Sequence, residues 1–280
     1  VVNLKKEMHF YWGNKSMSFL RYVSIFSFKK LNPDWNVTVI RRRNPSETKC
    51  DSWNEKPDFL HFKGKDYANK LNNLDVNVLW LEDIYPEIST LKLPELHMGD
   101  LMQWRVLNDV GGVFSDTDIL YFKPMDFEKI KNIDIGLVSF NGNPKPGYIP
   151  TSFVIGRPNQ FFSVLCEKAK DIDYSDWEAA GTSLIHRVFG DFNSVKDAFP
   201  DKNVQRIDSK LFFPFSETDY PFVQYFSLMF FENIPMPEQS IGIHWYGSSR
   251  ISQFFNNSIN SENYTKQNNT ICNLIKQLYK

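Results

Sequence analysis

Cysteine is almost missing from this chain. Cys50, Cys166 and Cys272 are odd in number and far apart, so they build neither a disulfide framework nor paired zinc-ligand spacing. Their scarcity fits a reducing compartment. Long apolar runs are missing as well. The most apolar stretch, Met17 to Leu31, is interrupted by Arg21, Ser24, Ser27 and Lys29, which excludes a membrane span of roughly 20 residues. Val1 to Glu7 carries no signal-peptide core, so a cytoplasmic location is the expectation. N-x-S/T triplets begin at Asn14, Asn36, Asn256, Asn263 and Asn268, as chance produces in a chain so rich in asparagine. Charge of one sign is also lacking. The formal net charge is −1 with no long run of either sign, which speaks against a nucleic-acid partner.

Apolar and aromatic side chains are abundant instead. Hydrophobic residues make up 42% and aromatics 16% of 280 residues, with 25 Phe and 7 Trp, ample for one large core. Some of these rings are expected to line a substrate cleft, and most to be core. Without repeats or a convincing linker, residues 1–280 are expected to form a single α/β domain.

One stretch organises the rest: Leu96 to Asp126. Leu96, Leu101, Trp104, Leu107 and Val110 recur at helical spacing. Gly111-Gly112 stops that helix, because glycine accepts the left-handed turn past a helix end. Val113 to Ser115 reads as a short buried strand, Asp116-Thr117-Asp118 follows, and Ile119 to Phe122 resumes as the second arm of a hairpin. Side chains i and i+2 of an extended chain leave the same face, so Asp116 and Asp118 can converge on one target. Unpaired, two buried carboxylates repel and lose hydration; a divalent cation removes both penalties.

Around it the pattern is mostly α/β. Met8 to Trp12 reads as a strand, Phe19 to Lys30 as a helix capped by Ser16 or Ser18, and Asn36 to Arg42 as an alternating strand. Val76 to Leu81 reads as a buried strand, Ile133 to Phe140 and Thr151 to Ile155 as further strands, and Phe161 to Lys170 as a helix. A Gly/Pro loop over residues 141–150 is placed to close over a cleft. A second helix opens at Ala180-Gly181-Thr182, residues 203–215 read as two short strands, and Ile241 to Trp245 as a last strand. Ile271, Leu274, Ile275 and Leu278 mark a C-terminal helix. Arg41-Arg42-Arg43 reads first as a solvated strand end, with a place near phosphate or at a membrane surface as the alternative.

Gly99 to Asp118 resembles, without gaps, the pattern S-D-L-L-R-x-x-x-L-x-x-x-G-G-x-Y-x-D-x-D of GT-A-fold glycosyltransferases. The resemblance is to the family holding α-1,4-galactosyl-, α-1,6-mannosyl- and capsular-polysaccharide-type transferases. Asp100, Leu107, Gly111, Gly112, Asp116 and Asp118 match. Gln103 departs, standing where that family usually has arginine; either Arg105 compensates or that donor contact differs. His9 to Gly13 resembles the opening motif, Asn32-Pro33-Asp34-Trp35 the N-P-x-W turn, and His244-Trp245 the closing H-x-W segment with a serine-rich tail. Ala180-Gly181-Thr182 is similar to the T-G-P segment near donor sugar and acceptor. Asp176, Trp177 and Glu178 before it are candidates for hydroxyl contacts, or simply an acidic helix start.

The resemblance implies a GT-A type, Rossmann-like mixed sheet flanked by helices. Residues 1–125 would form its nucleotide-binding half, 126–260 its acceptor and sugar half, and 261–280 a packed tail. It implies transfer of a sugar from a UDP- or GDP-sugar to a saccharide or glycolipid acceptor with retention of configuration, using Mn²⁺ (or Mg²⁺). Asp116, Asp118 and His244 are the implied metal ligands, and Asp116, Asp118 and Asp100 the residues at the chemistry. The donor is expected against Phe10, Tyr11, Trp12 (stacked on the base), Gly13, Asp100, Gln103, Gly112, Thr117, Trp245 and Ser248. Two rival readings use the same acids. One is a haloacid-dehalogenase-type phosphatase with an aspartyl nucleophile, which the late position of Asp116 and Asp118 after a Gly-Gly stop disfavours. The other is a non-catalytic nucleotide-sugar-binding module, with Gln103 as its best support.

Overall fold

Val113 and Phe114 are neighbours in one strand and belong to different cores. Successive strand side chains leave by opposite faces, so strands with apolar residues on both faces must be covered on both sides. That is what the computed structural model shows over the residues it describes, 4–44, 62–140, 147–173, 175–215 and 222–280. On one face, Val37, Val39, Val113 and Val138 pack with α1 (Phe19–Leu31), α5 (Phe222–Phe230) and α6 (Thr270–Leu278). On the other, Phe114, Leu137 and Val154 pack with α2 (Glu95–Asp109), α3 (Gln160–Lys168) and α4 (Thr182–Val188).

The main sheet has seven strands in the order β3-β2-β1-β4-β7-β6-β8. These are β1 (Glu7–Tyr11), β2 (Asn36–Arg41), β3 (Asn77–Trp80), β4 (Gly112–Ser115), β6 (Ile135–Ser139), β7 (Phe153–Gly156) and β8 (Val204–Asp208). Only β7 runs against the others, pairing antiparallel with β4 and β6. The sheet is therefore mixed and flanked by helices, as expected. The chain winds outward from β1 through β2 to β3, then returns to lay β4 on the other side of β1. Between β1 and β4 lies the switch point of the topology, where open α/β sheets leave a crevice at the carboxyl ends of their strands.

Several elements differ from their sequence reading. β4 and the following strand, β5 (Ile119–Tyr121), do not form a hairpin. β5 leaves the main sheet and pairs antiparallel with β9 (Gly242–His244) as a separate two-stranded sheet, with Ile119 opposite His244. β3 is not buried: it is the sheet edge, Leu79 is 39% exposed, and it is shielded on one side by Arg41 and Arg43 over Trp80. β2 does not alternate, because Val37 to Ile40 are all buried inside the double-covered sheet. Residues 203–215 hold one strand rather than two. After β8 the Asp208 side chain accepts the Lys210 N–H and bends the chain into a short 3-10 turn. On α2, Leu101, Trp104 and Leu107 are fully buried, whereas Val110 is 36% exposed past the last turn.

The basic cluster splits into three separate roles. Arg42 is buried against Ser89 and Glu95, Arg43 is held by Asp83, and Arg41 donates to the Gly13 carbonyl. Among the described residues no helix is long and apolar enough to cross a membrane. Cys166 and Cys272 are buried free thiols. Residues 141–146 of the expected loop lie outside the described residues, as does Cys50.

Candidate active site

The acids stand at the carboxyl end of β4. Gly111 (φ +75) ends α2 in the left-handed region, and Gly112 (φ +113) lets β4 pass so close to β1 that a Cβ there would lie 2.6 Å from the Glu7 carbonyl oxygen. β4 thereby enters the sheet beside β1 and delivers Asp116-Thr117-Asp118 as a tight turn above the switch point. The Asp116 N–H donates to the Ser152 carbonyl at 2.8 Å, which fixes the turn to the start of β7.

β9 supplies the third residue. His244 sits opposite Ile119 in the two-stranded sheet, its ring between Phe213 (centroids 5.1 Å apart) and Tyr246 (4.3 Å, nearly perpendicular). Asp116, Asp118 and His244 each offer a ligand atom, all within 4.8 Å of one another. Tyr246 adopts the left-handed conformation (φ +49), uncommon for a bulky side chain, and turns the chain so that the Gly247 N–H donates to Asp118 Oδ2 at 2.8 Å.

Electrostatics divides the two carboxylates. Burial pushes the Asp118 carboxyl up, but the charges of His244 and Arg21 and the Gly247 N–H more than reverse it, holding it below the usual carboxylate range. Asp116 is driven the other way, above the usual carboxylate range, first by burial and then by the Asp118 charge. His244 Nε2 approaches Asp118 Oδ1 at 3.3 Å without hydrogen-bond alignment, so that buried oxygen and His244 Nδ1 both lack a hydrogen-bond partner. Deprotonated, the two carboxyls and the imidazole offer lone pairs that fit a divalent cation. Hard-cation oxygen ligands plus one nitrogen suit Mn²⁺, and Mg²⁺ less well.

Asp100 comes to the same edge from α2. Its carboxyl is hydrogen-bonded to the Thr151 side chain and rises to about 8, first through burial and then through the charge of Glu178. Ala180-Gly181-Thr182 packs directly on it: a Cβ at Gly181 would sit 3.0 Å from Asp100 Oδ1. Glu178 in turn accepts the Tyr148 hydroxyl, while Asp176 accepts the Glu178 N–H within its own turn. Asp118, Asp116, Asp100 and Glu178 thus form a continuous acidic wall. The Ser139 and Ser152 hydroxyls, at the ends of β6 and β7 on the same edge of the sheet, are buried without a hydrogen-bond partner.

The other residues expected at the donor are placed as follows. Phe10 is fully buried, edge-on to Phe28. Tyr11 donates its hydroxyl to Glu95, and Gly13 passes so close to Glu95 that any side chain would overlap its carboxylate. Trp12 is 6% exposed, with its Nε1 on the Lys15 carbonyl, so a stacked base would need the indole uncovered first. Gly112 opens β4 at the edge opposite the acids. Gln103 is buried and donates to the Thr151 carbonyl at 2.9 Å, joining α2 to β7. Arg105 does not stand in for an arginine there, because it is held by Asp109, Glu87 and the Tyr85 ring on the outer side of α2. Trp245 is buried, with Nε1 on Ser24 Oγ, and Thr117 turns inward. Ser248 is half-buried in the turn after Gly247.

Two sets of site partners are not marked as such by the sequence reading. Thr151 and Ser152 hold Asp100, Gln103 and Asp116 at once, and no local pattern marks them. Arg21 is the other. Its guanidinium, buried on α1, donates to Thr117 Oγ1 at 2.9 Å and stands 3.7 Å from Asp118 Oδ2. A charged residue flanked by buried Leu20 and Tyr22 needs a buried partner, which is the signal that marks it.

Neither family models nor curated sequences match this chain. Among solved structures it is similar to the PaToxG glycosyltransferase (TM-score 0.47, 14% identity, over 71% of this chain and 76% of that one). It is also similar to the ligand-free glycosyltransferase domain of the YGT toxin (0.45, 8%, 74% and 80%). A third is the apo-form glycosyltransferase GlyE of Streptococcus pneumoniae TIGR4 (0.43, 10%, 98% and 64%). At these identities and scores the likeness is partial, and the chemistry must be read from the side chains themselves.

Proposed function

We propose that this chain is a divalent-cation-dependent glycosyltransferase, moving a sugar from a UDP- or GDP-sugar to a saccharide or glycolipid acceptor with retention of configuration. One observation carries the reading: Asp116, Asp118 and His244, distant in sequence, bring ligand atoms within 4.8 Å of one another at the switch point of a mixed α/β sheet. When bound there, Mn²⁺ (or Mg²⁺) supplies Lewis-acid stabilisation for the negative charge that grows on a leaving diphosphate.

The chain's own groups do the rest. Asp118, ionised and clamped by the Gly247 N–H, is the direct carboxylate ligand, with His244 from β9 beside it. Asp116, more exposed, faces the crevice and serves as ligand or as acceptor for donor hydroxyls. Asp100, fixed by Thr151 and Gly181, and Glu178 beyond it line the wall where sugar hydroxyls would hydrogen-bond, since a carboxyl group accepts from them with or without its proton. The test is a panel of nucleotide sugars incubated with the protein, Mn²⁺ and no acceptor, following release of the nucleoside diphosphate. Slow hydrolysis of one donor, lost with EDTA and in Asp118→Ala, is expected. Turnover indifferent to both, or no turnover and no donor binding across the panel, would refute the reading.

A further inference from the structure

Arg21 is more than a neighbour of the acid turn. It lies on α1, just after the Ser18 cap, and its guanidinium sits between two indoles, 5.2 Å from the Trp12 ring centroid and 5.0 Å from that of Trp245. It donates to Thr117 Oγ1 and pairs with Asp118 across 3.7 Å, both side chains being more than nine-tenths buried. A Cβ at Gly247 would overlap its Nη2, so the turn that donates to Asp118 is also shaped around it. One side chain therefore touches the end of β1, the acid turn and the segment after β9.

We propose, resting on the metal reading above, that Arg21 is a built-in counter-cation. It holds the Asp118 carboxylate in place while no metal is bound, and it lowers the affinity of the site for the divalent ion. A buried carboxylate without a counter-charge is strongly destabilising, and arginine keeps its charge at every accessible pH. The same fixed charge repels an arriving divalent ion in a partly desolvated site, where Coulomb energies are several times those in water. Cation-π contact with two indoles keeps the guanidinium from swinging away to relieve that repulsion. A site assembled in this way does not need the ion in order to stay ordered.

The experiment titrates Mn²⁺ into metal-stripped protein, reading free ion by electron paramagnetic resonance, alongside thermal melts with and without Mn²⁺. Arg21→Met is expected to bind Mn²⁺ about tenfold more tightly than the native chain, to melt lower without metal, and to recover more on adding it. Arg21→Lys, which keeps the charge, is expected to stay within about threefold of native affinity. If Arg21→Met does not fold, Arg21→Gln, neutral but able to reach Thr117, is expected to show the same tightening. Unchanged or weaker Mn²⁺ binding in a folded neutral variant would overturn the proposal, and so would equal tightening in Arg21→Lys. Absence of Mn²⁺ uptake by the native chain, or its persistence in Asp118→Ala, would remove the metal reading itself. Failure confined to the Arg21 variants would leave that reading standing.

Discussion

Asp116 and Asp118 carry the same functional group two positions apart and are driven in opposite directions, because Asp118 accepts the Gly247 N–H and stands 3.3 Å from His244 and 3.7 Å from Arg21, whereas burial and the Asp118 charge outweigh the same cations at Asp116. Asp100 belongs with Asp116: burial and Glu178 raise it from 3.8 to about 8. The folded, ligand-free protein therefore keeps a proton that the unfolded chain loses near pH 4, and stability must fall as pH rises from there to about 8. Asp100→Asn should reduce that fall, melting higher than the native chain at pH of about 8, while donor turnover drops. Melting temperature against pH checks this; an unchanged slope would mean that Asp100 is ionised throughout. At this scale the acids, His244 and Asp100 are legible in the sequence because their residue types and strand-end positions carry chemistry. The partner of Gln103 is not legible there, since a buried amide bonded to the Thr151 carbonyl has no local signature. Arg21 and Thr117 meet only through the fold, 96 positions apart.

Among the elements, β4 and α1 set the site. Gly112→Ala would force a Cβ against the Glu7 carbonyl in a backbone conformation that L residues avoid, and should cost roughly 2–4 kcal/mol, read as a lower denaturant midpoint at unchanged slope. Ser18→Ala removes the oxygen that accepts the Arg21 N–H at the start of α1, and should cost about 1 kcal/mol. A loss as small in the first variant as in the second would contradict the close approach of β4 to β1. Most elements were visible from apolar period, the Ser18 cap and the Gly-Gly stop, each a local signal. Pairing was not. β5 reads as the second arm of a hairpin, yet its partner is β9, and no residue of Ile119 to Tyr121 encodes that choice. β3 reads as buried because Val76, Val78 and Leu81 are apolar. Edge position depends on how many strands lie beyond it, which only the whole sheet decides.

The molecule as a whole places one acidic wall at the crevice where its strand order reverses, lined from β4, β9 and α2. A ligand that binds only the folded state stabilises it by mass action, so Mn²⁺ at a hundredfold excess over its Kd should raise the melting temperature by about 5 °C or more, and not in Asp118→Ala. An equal rise in both would place the ion elsewhere. The most direct measurement is anomalous diffraction at the manganese edge from crystals soaked in Mn²⁺ and a nucleoside diphosphate. The expected result is a peak bounded by Asp116, Asp118 and His244 with diphosphate oxygens on its open side. A peak at another position, or none there while the nucleotide is bound, would contradict it.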